Sequence, residues 1–70
     1  MITVEIDASD NGIEILVDES GVDELIDYLQ YIKSENESMH LLAGNELGEE
    51  LVNKSNDRLV KHVKLIVYEP

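Results

Sequence analysis

From Met1 to Asp7 the apolar residues Ile2, Val4 and Ile6 alternate with Thr3, Glu5 and Asp7, the period of a half-buried strand. Ser9-Asp10-Asn11-Gly12 follows, and Asn-Gly supplies the positive φ angles of a tight turn. Alternation then resumes, with Ile13, Ile15 and Val17 set against Glu14, Leu16 and Asp18, so the first eighteen residues predict an antiparallel hairpin with one apolar face. Between Ser20 and Ser34 the period changes. Val22, Leu25, Ile26, Leu29 and Ile32 fall at i, i+3, i+4, i+7 and i+10, which at 100° per residue makes one apolar stripe of a helix that must be buried against the hairpin. Ser20 with Asp23 three residues on predicts the helix start, and Lys33 suits its carbonyl end.

Two further runs, Ser38 to Leu42 and Leu59 to Tyr68, read as strands, the second through Val63, Leu65 and Val67 alternating with His62, Lys64 and Ile66. Between them, Ala43 to Asp57 carries two of the four glycines and reads as a loop, with one helical turn expected at Glu46 to Val52 presenting Leu47 and Leu51. The order β-β-α-β-β predicts a single domain over residues 1–70. Its class is α+β, two layers with one helix packed on a mostly antiparallel four-stranded sheet. The second face of that sheet would hold Leu16, Leu42, Val60, Ile66 and Tyr68 beside Thr3, Glu5 and Glu14. That is too apolar for solvent, and either Leu47 and Leu51 of the loop or a second copy of the chain would cover it.

Composition narrows the functional classes. The chain has no cysteine, so it has neither a disulfide framework nor a thiolate zinc site, and a reducing compartment is expected. No apolar run approaches membrane length, and the opening MITVEIDASD carries acid where a signal peptide needs base, so the expected location is cytoplasmic. Sixteen acids against five bases give a net charge of −11. Residues 1–50 hold 14 acids and one lysine, net −13, whereas residues 51–70 hold two acids and four bases, net +2. Such a field repels nucleic acid and anionic lipid and attracts basic proteins.

Few residues offer chemistry. Asp7, Ser9, Asn11, Gly12 and Asp18 imitate an EF-hand loop, but the flanks alternate as strands, and a hairpin accounts for the pattern without calcium. His40 and His62 are the residues suited to proton transfer near neutrality; paired strands would make them neighbours, and with Glu46 they could hold a transition metal, although no HxH or HxxxH spacing supports it. No nucleophile motif and no phosphate loop is present, so neither an enzyme nor a cofactor is expected. The most distinctive polar surface is the far side of the helix, where Glu24, Asp27, Tyr31 and Glu35 lie opposite the stripe and Tyr28 lies at its border. An aromatic among carboxylates is an interface composition, and Glu46, Glu49 and Glu50 form a second acidic cluster in the loop.

At HLLAGNELGEEL and the closing VKHVKLIVYEP, preceded by IEILVDESGVDELIDYLQYIK, the chain resembles the Immunity protein 32 family of bacterial polymorphic toxin systems. The positions matching the pattern are His40, Gly44, Glu46, Leu47, His62 and Lys64, and the tryptophan associated with the loop of relatives is missing. The resemblance implies a bacterial antitoxin-like protein that binds and blocks a cognate toxin. With the charge, the expectation is a basic partner such as a nuclease toxin. The rival readings are an acidic nucleic-acid mimic, a homodimer through the second sheet face, and a metal-binding module built on the two histidines.

Overall fold

The computed structural model describes residues 1–70 and has four strands and one helix in the order β1 (Ile2–Asp7), β2 (Gly12–Val17), α1 (Glu19–Glu35), β3 (Met39–Leu42) and β4 (His62–Leu65). The class and the element order are those the pattern predicts. The strands, however, form two antiparallel hairpins, β1–β2 and β3–β4, in place of one four-stranded sheet. The reason lies in the segment before β4. Leu59 and Val60, expected to begin the last strand, instead lie with Arg58 along the free edge of β1: the Ile6 amide donates to the Arg58 carbonyl at 2.7 Å and the Val60 amide to the Val4 carbonyl at 2.8 Å. The β4 strand is therefore shorter than its apolar run.

This arrangement makes β1 the centre of the molecule, with β2 on one edge and Arg58–Val60 on the other. Ile2 and Val4 form the core with Leu41 and Leu47, and Leu25 and Tyr28 of α1 pack against it. The opposite face of β1 is buried as well, because the loop after β3 crosses it. The Gly48 amide donates to the Ile2 carbonyl at 2.7 Å, and the Thr3 hydroxyl donates to the Glu49 carbonyl at 3.1 Å. The loop is thus the cover for Thr3 and Glu5, although it does so through its backbone without the helical turn expected at Glu46 to Val52, and Leu47 points into the core while Leu51 stays exposed. Leu42, Ile66 and Tyr68 lie outside that cover and are exposed.

The helix begins two residues earlier than expected. Asp18, not Ser20, is the N-cap, its carboxylate accepting the Gly21 amide at 2.7 Å. The α-amino group of Met1 donates to the same oxygen at 2.7 Å and to the Ser20 hydroxyl at 3.2 Å, and that hydroxyl in turn donates to Asp18 at 2.9 Å, so Ser20 supports the cap made by Asp18. The amino group first, then the Gly21 amide and Ser20, hold the Asp18 carboxyl down to about 2. A depressed carboxylate stabilises the fold above its ordinary value of 3.8 and loses that contribution as pH falls through the interval down to about 2. Asp18→Asn should therefore remove a portion of the acid-unfolding transition between those values, measured by circular dichroism against pH. At the other end of the helix Asn36 adopts the left-handed conformation at φ 53°, closing it ahead of β3.

The hairpin turn is a four-residue loop from Ala8 to Asn11, closed by the Asp7–Gly12 pair; Asn11 takes the positive φ of 52°, leaving Gly12 in the strand. Most consequential is what α1 and β2 leave uncovered. Of the stripe expected to be buried, Ile32 is buried and Leu25 half-buried, but Val22, Ile26 and Leu29 are 43 to 46% exposed. On the apolar side of β2, Ile13 and Ile15 are 60% and 55% exposed. The sheet is too narrow beneath the helix to cover its whole stripe, and the molecule is a slab of 36 × 28 × 18 Å.

Candidate functional site

The acidic surface expected on the helix and in the loop proves to be two environments. Tyr28, half-buried against the core, has Glu24, Glu46 and Asp27 around it; burial raises its phenol above the ordinary value, and these three carboxylates raise it further, in that order. The helix acids and the loop acid Glu46 thus meet at Tyr28, which the chain order did not show. Glu46 is held in place: its carboxylate accepts the Leu42 amide at 3.0 Å, and that bond and its own amide keep its carboxyl low, so it stays ionised beside Tyr28. Glu24 stands 3.7 Å from the Met1 amino group.

Further along the same flank, Tyr31 is 48% exposed and its hydroxyl donates to Glu37 at 3.3 Å. The Glu37 charge, that bond and then Glu35 raise the Tyr31 phenol. Glu37 joins the surface as a residue the helical period could not find, because it lies past Asn36, where the chain reverses. Asp27 and Glu35 are exposed.

Glu50 is a correction. It is 3% exposed, and its carboxylate accepts the Arg58 amide at 3.3 Å. A buried carboxylate that holds a loop presents little to a partner. Glu49 is exposed at the rim of a hollow of about 500 Å³ that is also lined by Glu50, Leu51, Lys54 and Asn56. Sequence reasoning also missed Glu5, which is fully buried and accepts the Leu51 and Val52 amides at 2.7 and 3.2 Å. One oxygen of Glu5 and one of Glu50 are buried without a partner.

His40 and His62 do come together, as strand pairing predicts. In the β3–β4 register His40 faces Lys64 and Leu42 faces His62, so the histidines are diagonal neighbours, with His62 Nε2 3.0 Å from His40 Nδ1 and ring centroids 4.8 Å apart. The contact needs one nitrogen to carry the proton and the other to offer its lone pair. No set of three potential ligands forms around them, so Glu46 does not complete a metal site. Gly44 takes a positive φ of 87° in the turn after β3, and its amide donates to the Leu47 carbonyl at 2.9 Å, which directs Leu47 into the core. The EF-hand imitation fails on distance. Asp7 and Asp18 stand at opposite ends of β2, roughly 15–20 Å apart for a six-residue strand, and Asp18 is engaged by the helix and Met1.

Comparison with protein-family models, with curated proteins and with solved structures returned no match to this chain. No helix is long and apolar enough to cross a membrane.

Proposed function

We propose that this chain is a small, acidic, non-enzymatic immunity protein of the bacterial cytoplasm that binds a basic toxin, such as a nuclease, and blocks it. The observation that carries this reading is the gathering of Glu24, Asp27 and Glu46 around Tyr28, with Tyr31, Glu35 and Glu37 on the same flank. The two tyrosines offer rigid contact area and the carboxylates supply a negative potential, the combination that steers and anchors a basic protein surface. The overall charge of −11 strengthens that field, and the resemblance to Immunity protein 32 adds the class of partner.

The test starts from a secreted toxin encoded beside this chain. Association with that toxin should slow by about tenfold or more between 50 and 500 mM salt. The combined variant Asp27→Lys, Glu35→Lys, Tyr31→Ala should fold as the parent does and bind at least about tenfold more weakly, since all three side chains are exposed. Unchanged binding by surface plasmon resonance would remove the helix flank from the interface. A partner that proves to be a DNA-binding protein unrelated to toxins would favour the nucleic-acid mimic.

A further inference from the structure

The outer edge of β2 is open, and the residues that face it are the ones whose side chains lack cover. The backbone bonds of β1 establish this. Ile2, Val4 and Ile6 direct their backbone groups to Gly48, Val60 and Arg58, so Thr3, Glu5 and Asp7 bond β2 through their partners Leu16, Glu14 and Gly12. By alternation Ile13, Ile15 and Val17 turn their N–H and C=O groups away from β1, and none of them has a partner among the loop and turn bonds. Their side chains share the face that carries Ile2 and Val4, beneath the helix, and are 37 to 60% exposed. Because the Tyr28 flank of α1 faces Glu46, the opposite flank, with Val22, Ile26 and Leu29, overhangs the β2 side.

We infer that this chain pairs with a second copy of itself through β2. An antiparallel pair centred on Ile15 sets Ile15 against its own counterpart and Ile13 against Val17, so each outward-facing residue meets another outward-facing residue. The twofold axis of such a pair stands perpendicular to the sheet, which places both helices on the same side. The two flanks of Val22, Ile26 and Leu29 then close over the joined strands from either side. One contact satisfies the open backbone edge and covers the apolar face together, a combination that an unprotected edge strand otherwise leaves to aggregation.

The surface area agrees with a missing copy. A folded monomer of 7.9 kDa has an accessible surface of about 4,400 Å² by the usual scaling with mass, and this chain exposes 5032 Å². The excess of roughly 600 Å² approaches the ~800 Å² that each partner contributes to a standard interface. The radius of gyration, 12.8 Å against about 11 Å for a compact 70-residue domain, shows the same deficit of cover. Two copies of net charge −11 repel, so an apolar and backbone contact between them must tighten as salt screens that repulsion. This is opposite in sign to the salt dependence of a basic partner on the Tyr28 flank.

Sedimentation of the full chain from about 10 µM to 1 mM, in 50 and 500 mM sodium chloride, tests it. The expected result is a monomer–dimer equilibrium whose dissociation constant falls about threefold or more at the higher salt. Ile15→Lys should weaken the dimer by roughly tenfold or more, whereas Asp27→Lys with Glu35→Lys should leave it intact. A monomer at every concentration, a dimer loosened by salt, or a dimer unaffected by Ile15→Lys overturns the proposal. Should Ile15→Lys fail to fold, hydrogen exchange on the unaltered chain decides. Protection at the Ile13, Ile15 and Val17 amides that grows with concentration supports the paired edge, and fast exchange at all concentrations refutes it. Because the acidic flank is untouched by Ile15→Lys, loss of dimer and loss of toxin binding are separable.

Discussion

Replacing Glu5 by alanine should cost about 2–4 kcal/mol, because the Leu51 and Val52 amides that its carboxylate accepts would be left buried or forced out into water. A 70-residue core without a disulfide supplies at most about 3–5 kcal/mol, so the variant stands at the edge of unfolding. Glu5→Gln, which keeps one carbonyl acceptor, should lose roughly half as much. Urea unfolding followed by circular dichroism measures both, and hydrogen exchange at Leu51 and Val52 locates the damage. A midpoint unchanged in Glu5→Ala would mean that the loop holds itself without this anchor. The orphaned second oxygen of Glu5 limits what the carboxylate contributes on balance, since that atom is desolvated without return. Its value is positional: a single side chain rising from the central strand fixes where the loop crosses, and with it the Gly48–Ile2 bond and the burial of Thr3.

Glu50 belongs to the same device, and this separates two kinds of acid that composition alone treats as one. Acids that accept backbone amides inside the molecule, Glu5 and Glu50, hold the loop against β1. Acids that border an exposed or half-exposed tyrosine, Asp27, Glu35 and Glu46 among them, leave their charge available to a partner. Glu46 does both, because its bond to the Leu42 amide fixes the turn while its charge reaches Tyr28.

The elements were legible because their periods are clean: alternation in Ile2 to Ile6 and Ile13 to Val17, and the i, i+3, i+4 spacing after Ser20, mark strands and helix without ambiguity. The adjacency of His40 and His62 followed from pairing the last two runs. Cover was not legible. Thr3 and Glu5 alternate as solvent-facing residues should, and only a loop with no period of its own, crossing 45 or so residues later in the chain, makes them interior. The same limit applied to the helix stripe, whose apolar positions say what ought to be buried without saying whether the sheet is wide enough to bury it. The placement of Arg58 to Val60 along β1 decided that width, and it rests on backbone bonds, on the Arg58 Nε bond to the Ile6 carbonyl and on the Glu50 carboxylate that accepts the Arg58 amide, none of which the hydrophobic period shows. Asp18 and Ser20 both suit an N-cap, and local sequence does not show that the Met1 amino group, seventeen residues from Asp18, joins both side chains around the Asp18 carboxylate.

That contact leads to a prediction whose sign is opposite to the one helix propensity implies. Gly21 lies in the first turn of α1, where alanine for glycine ordinarily gains about 1 kcal/mol in a helix interior. In this fold a β-carbon at Gly21 would overlap the Met1 carbonyl oxygen and stand 2.7 Å from its carbon. Both are backbone atoms, so no rotamer change relieves the overlap, and either Met1 or the helix start must move by more than an ångström. Movement of Met1 breaks its carbonyl's bond from the Asp18 amide and its amino group's bond to the Asp18 carboxylate, and it pulls on Ile2, one of the core residues. Overpacking of this kind costs about 1–3 kcal/mol, which outweighs the propensity gain when the obstacle is backbone on both sides. Gly21→Ala should therefore unfold at lower urea than the parent by about 1–2 kcal/mol, and the Asp18 carboxyl should titrate closer to its ordinary 3.8 as the amino group withdraws. A more stable Gly21→Ala protein would mean that Met1 is held too loosely to oppose the helix. The Asp18 titration, followed by NMR, distinguishes a displaced terminus from a displaced helix, because the latter takes the Gly21 amide away from Asp18 as well.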